Sequence, residues 1–116
     1  MRIAAVTYGT EPHLQFNLRD AEVNTIDKAI KAIDDITYLG GATATTAALT
    51  LVREVVVPQV RSNSDRVMIF ITDGKSNVGD SPKNISGLLH TEHRFEVYAI
   101  GKINCHHLVV TCILKN

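Results

Sequence analysis

The stretch "RVMIFITDG", Arg66 to Gly74, decides the reading of this chain. Its apolar residues run from Val67 to Ile71 without alternation and stop at Thr72-Asp73-Gly74. Such a run is the pattern of a parallel strand covered on both faces. "FEVYAIG", Phe95 to Gly101, repeats it. Between the two lies a helical segment opened by Asp80 or Ser81 as cap, with Pro82 in its first turn. Two buried strands joined by a helix define an α/β fold with an open, mostly parallel sheet flanked by helices.

Working outward, "RIAAVTYG" (Arg2 to Gly9) reads as a strand, and "HLQFNL" (His13 to Leu18) as a half-exposed one. In the latter, Leu14, Phe16 and Leu18 share a face. The short link between them predicts an antiparallel hairpin. "NTIDKAIKAIDDITYLGG" changes period: Ile26, Ile30 and Ile33 recur at helical spacing beside Ala29, with the charges opposite. Asn24 is its expected N-cap and Gly40-Gly41 its stop. A second helix runs from Thr45 to Val57, packs through Ala48, Leu49, Val52 and Val56, and ends at Pro58.

The totals exclude several classes. At 116 residues the chain makes one domain. Lys plus Arg (12) balances Asp plus Glu (12), which argues against nucleic acid or an anionic membrane as partner. No apolar run is long enough to span a bilayer, and "MRIAAVTYGT" lacks the pattern of a signal peptide. Two cysteines are too few for a disulfide framework.

In open α/β sheets, ligands bind beyond the carboxyl ends of the strands. Asp73 stands at such an end, and Gly74 lets the chain turn sharply after it. The loop "GGATATTAAL", Gly40 to Leu49, offers the hydroxyls of Thr43, Thr45 and Thr46 at a helix start. These hydroxyls suit helix capping; together with the carboxylate they also suit a hard-oxygen site for Mg²⁺, Mn²⁺ or Ca²⁺. A phosphate loop is disfavoured, because no Lys follows the glycines.

With these motifs in hand, the chain resembles a von Willebrand factor type A domain. "RIAAVTYGTEPHLQFNL", "AIKAIDDITYLGGATATTAAL", "RVMIFITDGKSN" and "FEVYAIG" are similar, in order and spacing, to its successive blocks. The resemblance implies a binding module rather than an enzyme: a domain of a secreted adhesion or matrix-type protein. Such a domain engages a protein ligand, in the matrix or on a cell surface, through a divalent ion at a metal-ion-dependent adhesion site. By position the loop threonine of that site falls on Thr43 and the strand-end aspartate on Asp73. Gly41, Thr45, Gly74 and Lys75 fall on the ligand-binding loops.

The departures are as specific. The family's first strand ends in Asp-x-Ser-x-Ser, and this motif is absent. That strand is central in the family's sheet order 3-2-1-4-5-6. The expected protein is therefore a partial domain over residues 1–101, truncated at both ends, with a divergent tail over 102–116. Its metal site is incomplete, and Mg²⁺ binding is expected to be weak. The flanking strands would expose apolar edges, prone to self-association. Unpaired buried backbone groups cost on the order of 1–3 kcal/mol each against a total stability of about 5–15 kcal/mol. The alternative is that "HHLVVTCIL", His106 to Leu114, enters the gap as a replacement strand.

Two other readings belong beside this one. Asp73 could accept a phosphoryl group in a receiver-like domain, but Glu11, Asp20 and Asp80 do not sit at buried strand tips to hold Mg²⁺. The chain could also be an inactive structural fragment. Cys105, His106, His107 and Cys112 lack zinc-finger spacing and read as incidental. Asn84-Ile85-Ser86 is an N-glycosylation triplet, relevant only in a secreted protein.

Overall fold

The computed structural model describes residues 1–37, 41–72, 79, 81–101 and 109–115, the last seven by their backbone. The apolar run of the opening stretch forms β3 (Asp65–Thr72), and "FEVYAIG" forms β4 (Phe95–Gly101), paired in parallel with it. The N-terminal hairpin is β1 (Arg2–Tyr8) and β2 (Pro12–Phe16), antiparallel as expected. Helices α1 (Ile26–Asp34), α2 (Thr45–Leu51) and α3 (Lys83–Thr91) connect the strands. A last strand, β5 (Val109–Lys115), comes from the tail.

The sheet order is β2-β1-β5-β3-β4. Strand β5 lies between β1 and β3 and runs antiparallel to both, from Arg2↔Leu114 to Thr7↔Val109 on one side and from Asp65↔Lys115 to Ile71↔Val109 on the other. The replacement-strand alternative is thus the one the chain adopts. The physical reason is backbone satisfaction: β1 and β3 each carry a row of N–H and C=O groups beside apolar side chains, and pairing removes both open edges. It also changes the sheet from the mostly parallel one expected. Strands β1, β3 and β4 still share one direction, but β3–β4 is the only hydrogen-bonded parallel pair among the described strands.

One face of the sheet holds the larger core. Ala4, Val6 and Tyr8 of β1, Met68 of β3 and Phe95 of β4 meet Ala48, Leu49, Val52 and Val56 of the second helix and Ile85 and Leu89 of α3. The predicted stripe of the second helix is correct in every member. Its second half is a π-helical turn, Val52–Val56, followed by a 3₁₀ turn, Val57–Gln59, that contains Pro58. The missing N–H of proline explains why α-helical bonding stops short of it.

Among the described residues, the opposite face is covered only over β1 and β2. Ala5, Phe16, Val23 and Ala29 form a small cluster there, with Ile3 and Ala32 beside it. Here the expected isoleucine stripe fails: Ile26, Ile30 and Ile33 are 60%, 53% and 43% exposed. Ala29 and Ala32 sit about a quarter turn around the helix from that stripe at 100° per residue. Their small side chains let α1 lie close to the sheet, so they take the contact. The cap differs too: Thr25, not Asn24, accepts from the Lys28 N–H (3.3 Å), while Asn24 Oδ1 accepts from Lys28 Nζ (3.2 Å).

With α1 over β1, nothing described covers this face of β3 and β4. Of β3 only Met68 is buried, and Tyr98 and Ile100 of β4 are 54% and 48% exposed. Among the described residues, the two-sided burial read from the apolar runs is therefore met on one side only. The shared face of Leu14, Phe16 and Leu18 also fails. A β-bulge between Ala5 and Val6 sets Phe16 opposite Ala5 but Leu14 opposite Val6, so the two lie on opposite faces. Leu18 falls beyond the strand, in the larger core.

Two measurements check this packing. Leu49→Ala, at a fully buried site, should lower stability by about 2–5 kcal/mol in denaturant unfolding, whereas Ile30→Ala should stay within about 0.5 kcal/mol. Deleting residues 109–116 should abolish the cooperative thermal transition, since both central edges reopen; a sharp melt of the shortened chain would show that β5 is dispensable.

Candidate functional site

Three consecutive residues at the carboxyl end of β1 organise the candidate site. The Tyr8 hydroxyl donates to the Ile71 carbonyl at 3.1 Å, across the start of β5, to the carboxyl end of β3. The Gly9 carbonyl accepts from the Ala44 N–H at 2.9 Å. The Thr10 hydroxyl accepts from the Ala42 N–H at 3.2 Å. One short segment thereby ties the threonine loop and the end of β3 to the same corner. Tyr8 and Gly9 are buried, which shields the first two bonds from water.

Within the loop, Gly41 has φ +96°, and a Cβ there would stand 2.7 Å from Thr10 Oγ1. Both the left-handed backbone and the close approach require glycine. Thr43 is buried (6% exposed) between Ala42 and Ala44. Thr45, the first residue of α2, is buried as well. The N-cap of α2 is Ala44, with no side-chain cap bond. The capping reading of these threonines thus fails, and neither Thr43 nor Thr46 is without a partner.

Asp73, Gly74 and Lys75 lie outside the described residues, as do Asp80, Cys105, His106 and His107. Asp73 is the residue after Thr72, the last of β3. Asn84 is exposed, second in α3. Ser81 Oγ accepts from the Lys83 N–H at 3.4 Å, while Pro82 is the N-cap position. Among the described residues, no three His, Cys, Asp or Glu side chains lie together as a metal cluster. Sequence reasoning missed Tyr8 and Thr10: nothing in their spacing signals a partner 63 and 32 residues away.

Beside this corner a shallow groove follows α2, from Thr10 and Ala44 past Ala47 and Leu51 to Glu54.

A hydroxyl loop clamped to the carboxyl edge of an α/β sheet, next to a strand that ends at Thr72, defines a class: an open-sheet α/β domain with a loop fixed at the strand ends. Residues 1–108 match the family model of the von Willebrand factor type A domain, and the chain belongs to that family. It is 28% identical to mouse integrin alpha-2 over 120 residues, 98% of this chain and 10% of that protein. It is 29% identical to mouse complement C2 over 122 residues, 85% of this chain and 16% of that protein. Proximal thread matrix protein 1 from the mussel byssus, solved with a zinc-occupied MIDAS motif, superposes with a TM-score of 0.75 at 33% identity. That match covers 84% of this chain and 24% of the mussel chain. The chain thus spans between a tenth and a quarter of these relatives' lengths.

Gly41→Ala is expected to destabilise the domain by about 1–3 kcal/mol, the cost of a forced left-handed residue. Thermal melting would check this; an unchanged melting temperature would mean that the loop and Thr10 separate without cost.

Proposed function

We propose that this chain is a protein-binding module of an extracellular adhesion or matrix-type protein. It engages its ligand through a divalent cation at the carboxyl edge of the sheet. The observation that carries the proposal is the corner at Tyr8, Gly9 and Thr10, which holds the Thr43 loop and the end of β3 together. Family membership and a mussel relative with a zinc-occupied MIDAS motif support it. In this reading Thr43 supplies a hydroxyl and Asp73 a carboxylate. Gly41, Thr45, Gly74 and Lys75 shape the loops around them, and the groove along α2 is open to a ligand chain. Hard oxygens fit Mg²⁺, Mn²⁺ or Ca²⁺. No role as a catalyst is proposed. Asn84, exposed on α3, is a glycan acceptor if the protein is secreted.

Two protein ligands leave most of a cation's shell to water, and Mg²⁺ gives up its waters reluctantly. The ligand's own carboxylate would complete the site. No helix of the described residues is long and apolar enough to cross a membrane.

Calorimetric titration with Mg²⁺, Mn²⁺ and Zn²⁺ should show affinity no tighter than about millimolar. Thr43→Ala and Asp73→Ala should each remove it. Micromolar binding that survives both substitutions would place the ion elsewhere and overturn the proposal.

A further inference from the structure

The cations of this chain are sorted by type. Strands β1, β3 and β4 share one direction, so Arg2, Arg66 and Arg94 stand at their amino ends, on the edge opposite the threonine loop. The other arginines fall there too. Arg19 follows β2, Arg61 precedes β3, and Arg53 reaches down from the second helix to Glu92, just past the end of α3. All six arginines of the chain thus lie at the amino edge. Lys28 and Lys31 belong to α1, and Lys83 opens α3 at the far end.

Alternation along the strands divides this edge into two faces. Arg2 shares a face with Ala4 and Val6, and Arg66 with Met68; this is the face of the larger core. Asp65 and Glu96 belong to the other face, where Arg94 lines a small cavity with them. On the core side, Arg2 and Arg66 are register partners of Leu114 from its two flanks. Two strand spacings set their Cα atoms about 10 Å apart. A backbone carbonyl orients each guanidinium: Arg2 Nη1 donates to Leu18 O at 3.3 Å, and Arg66 Nη1 to His93 O at 2.7 Å. A guanidinium has five N–H donors, so each keeps others to offer. The Arg19 N–H donates to Gln59 Oε1 at 3.3 Å, which brings exposed Arg19 beside the segment that leads to Arg61. Two carboxylates share this side, and both are engaged. Asp20 Oδ2 accepts from the Asn17 N–H at 2.7 Å, and Glu92 lies 3.6 Å from Arg53. Arg2, Arg19, Arg53, Arg61 and Arg66 outnumber them, so the patch is cationic on a chain whose net charge is zero.

We propose that this patch binds a sulfated polysaccharide. Guanidinium forks match the paired oxygens of an oxyanion better than ammonium groups do. The cations spread along an edge and do not converge on one point, which fits a chain with anions at intervals rather than a single ion. Among the described residues no exposed Phe or Tyr stands with them: Phe16 and Phe95 are buried, and Tyr98 lies on the other face. Nucleic-acid bases would have nothing to stack on, and a neutral chain lacks the broad field that draws DNA or an anionic membrane. The proposal rests on the extracellular placement above, and not on the cation site at the opposite edge.

Calorimetric titration of the full chain with a size-defined heparin fragment, over a series of salt concentrations, tests it. The wild type should bind, and more weakly as salt rises. The double variant Arg19→Gln/Arg53→Gln should bind more weakly and lower the log–log salt slope by about two. Arg19 is exposed and Arg53–Glu92 is a surface pair, so this variant should melt like the wild type. Lys28→Gln/Lys31→Gln removes the same charge from α1 and should change neither affinity nor slope. Chelation by EDTA and Asp73→Ala should also leave binding intact, whereas a failed Mg²⁺ titration bears on the cation site alone. Four results would overturn the proposal: no binding by the wild type, equal loss in the lysine variant, duplex DNA bound as tightly as the heparin fragment, or loss of binding on chelation.

Discussion

Everything in this fold follows from the need of two strands for a backbone partner. β1 and β3 each carry a core face, and neither hydrogen-bonds the other directly. β5 satisfies both at once, by running antiparallel between them. The larger core bridges that arrangement: Ala4 and Val6 on one side of β5 and Met68 on the other share one cluster with the same helices. The carboxyl edge depends on it too: Tyr8 spans the width of one intervening strand to reach Ile71.

At the site, geometry and chemistry come from different places. Geometry comes from Tyr8, Gly9 and Thr10, whose bonds are to backbone groups and need no particular partner side chain. The proposed chemistry rests on Thr43 of the loop and on Asp73, the residue after β3. Bonds of this kind fix the loop to the sheet edge, and a loop fixed in this way lowers the ordering cost of any ligand it takes.

Much of this was readable in the sequence, and what was not has definite causes. Ala48, Leu49, Val52 and Val56 fell where periodicity put them, and all four are buried against the sheet. α1 had two competing stripes, and small alanines beat larger isoleucines by allowing closer approach. Periodicity weighs size and misses that. The bulge in β2 left no trace in the pattern, since it is set by its partner strand. The apolar runs of β3 and β4 predicted cover on both faces, but a run reports the potential for burial and not whether a helix lies above it. The family motif located the threonine loop, yet the Thr10 hydroxyl that anchors it is 32 residues from its partner, which single-sequence spacing cannot reveal.

The central position of β5 also orders events in time. Arg2 pairs with Leu114, so nearly the whole chain must exist before the middle of the sheet can close. During synthesis β1 can form its hairpin with β2 but must wait with one edge bare. Folding dominated by such distant pairings is slow, because loop closure precedes any reward from contact. Pairing of β1 on this side therefore waits for a segment more than a hundred residues further along the chain. The centre of the sheet closes only once β5 has emerged, and until then one edge each of β1 and β3 waits for that partner.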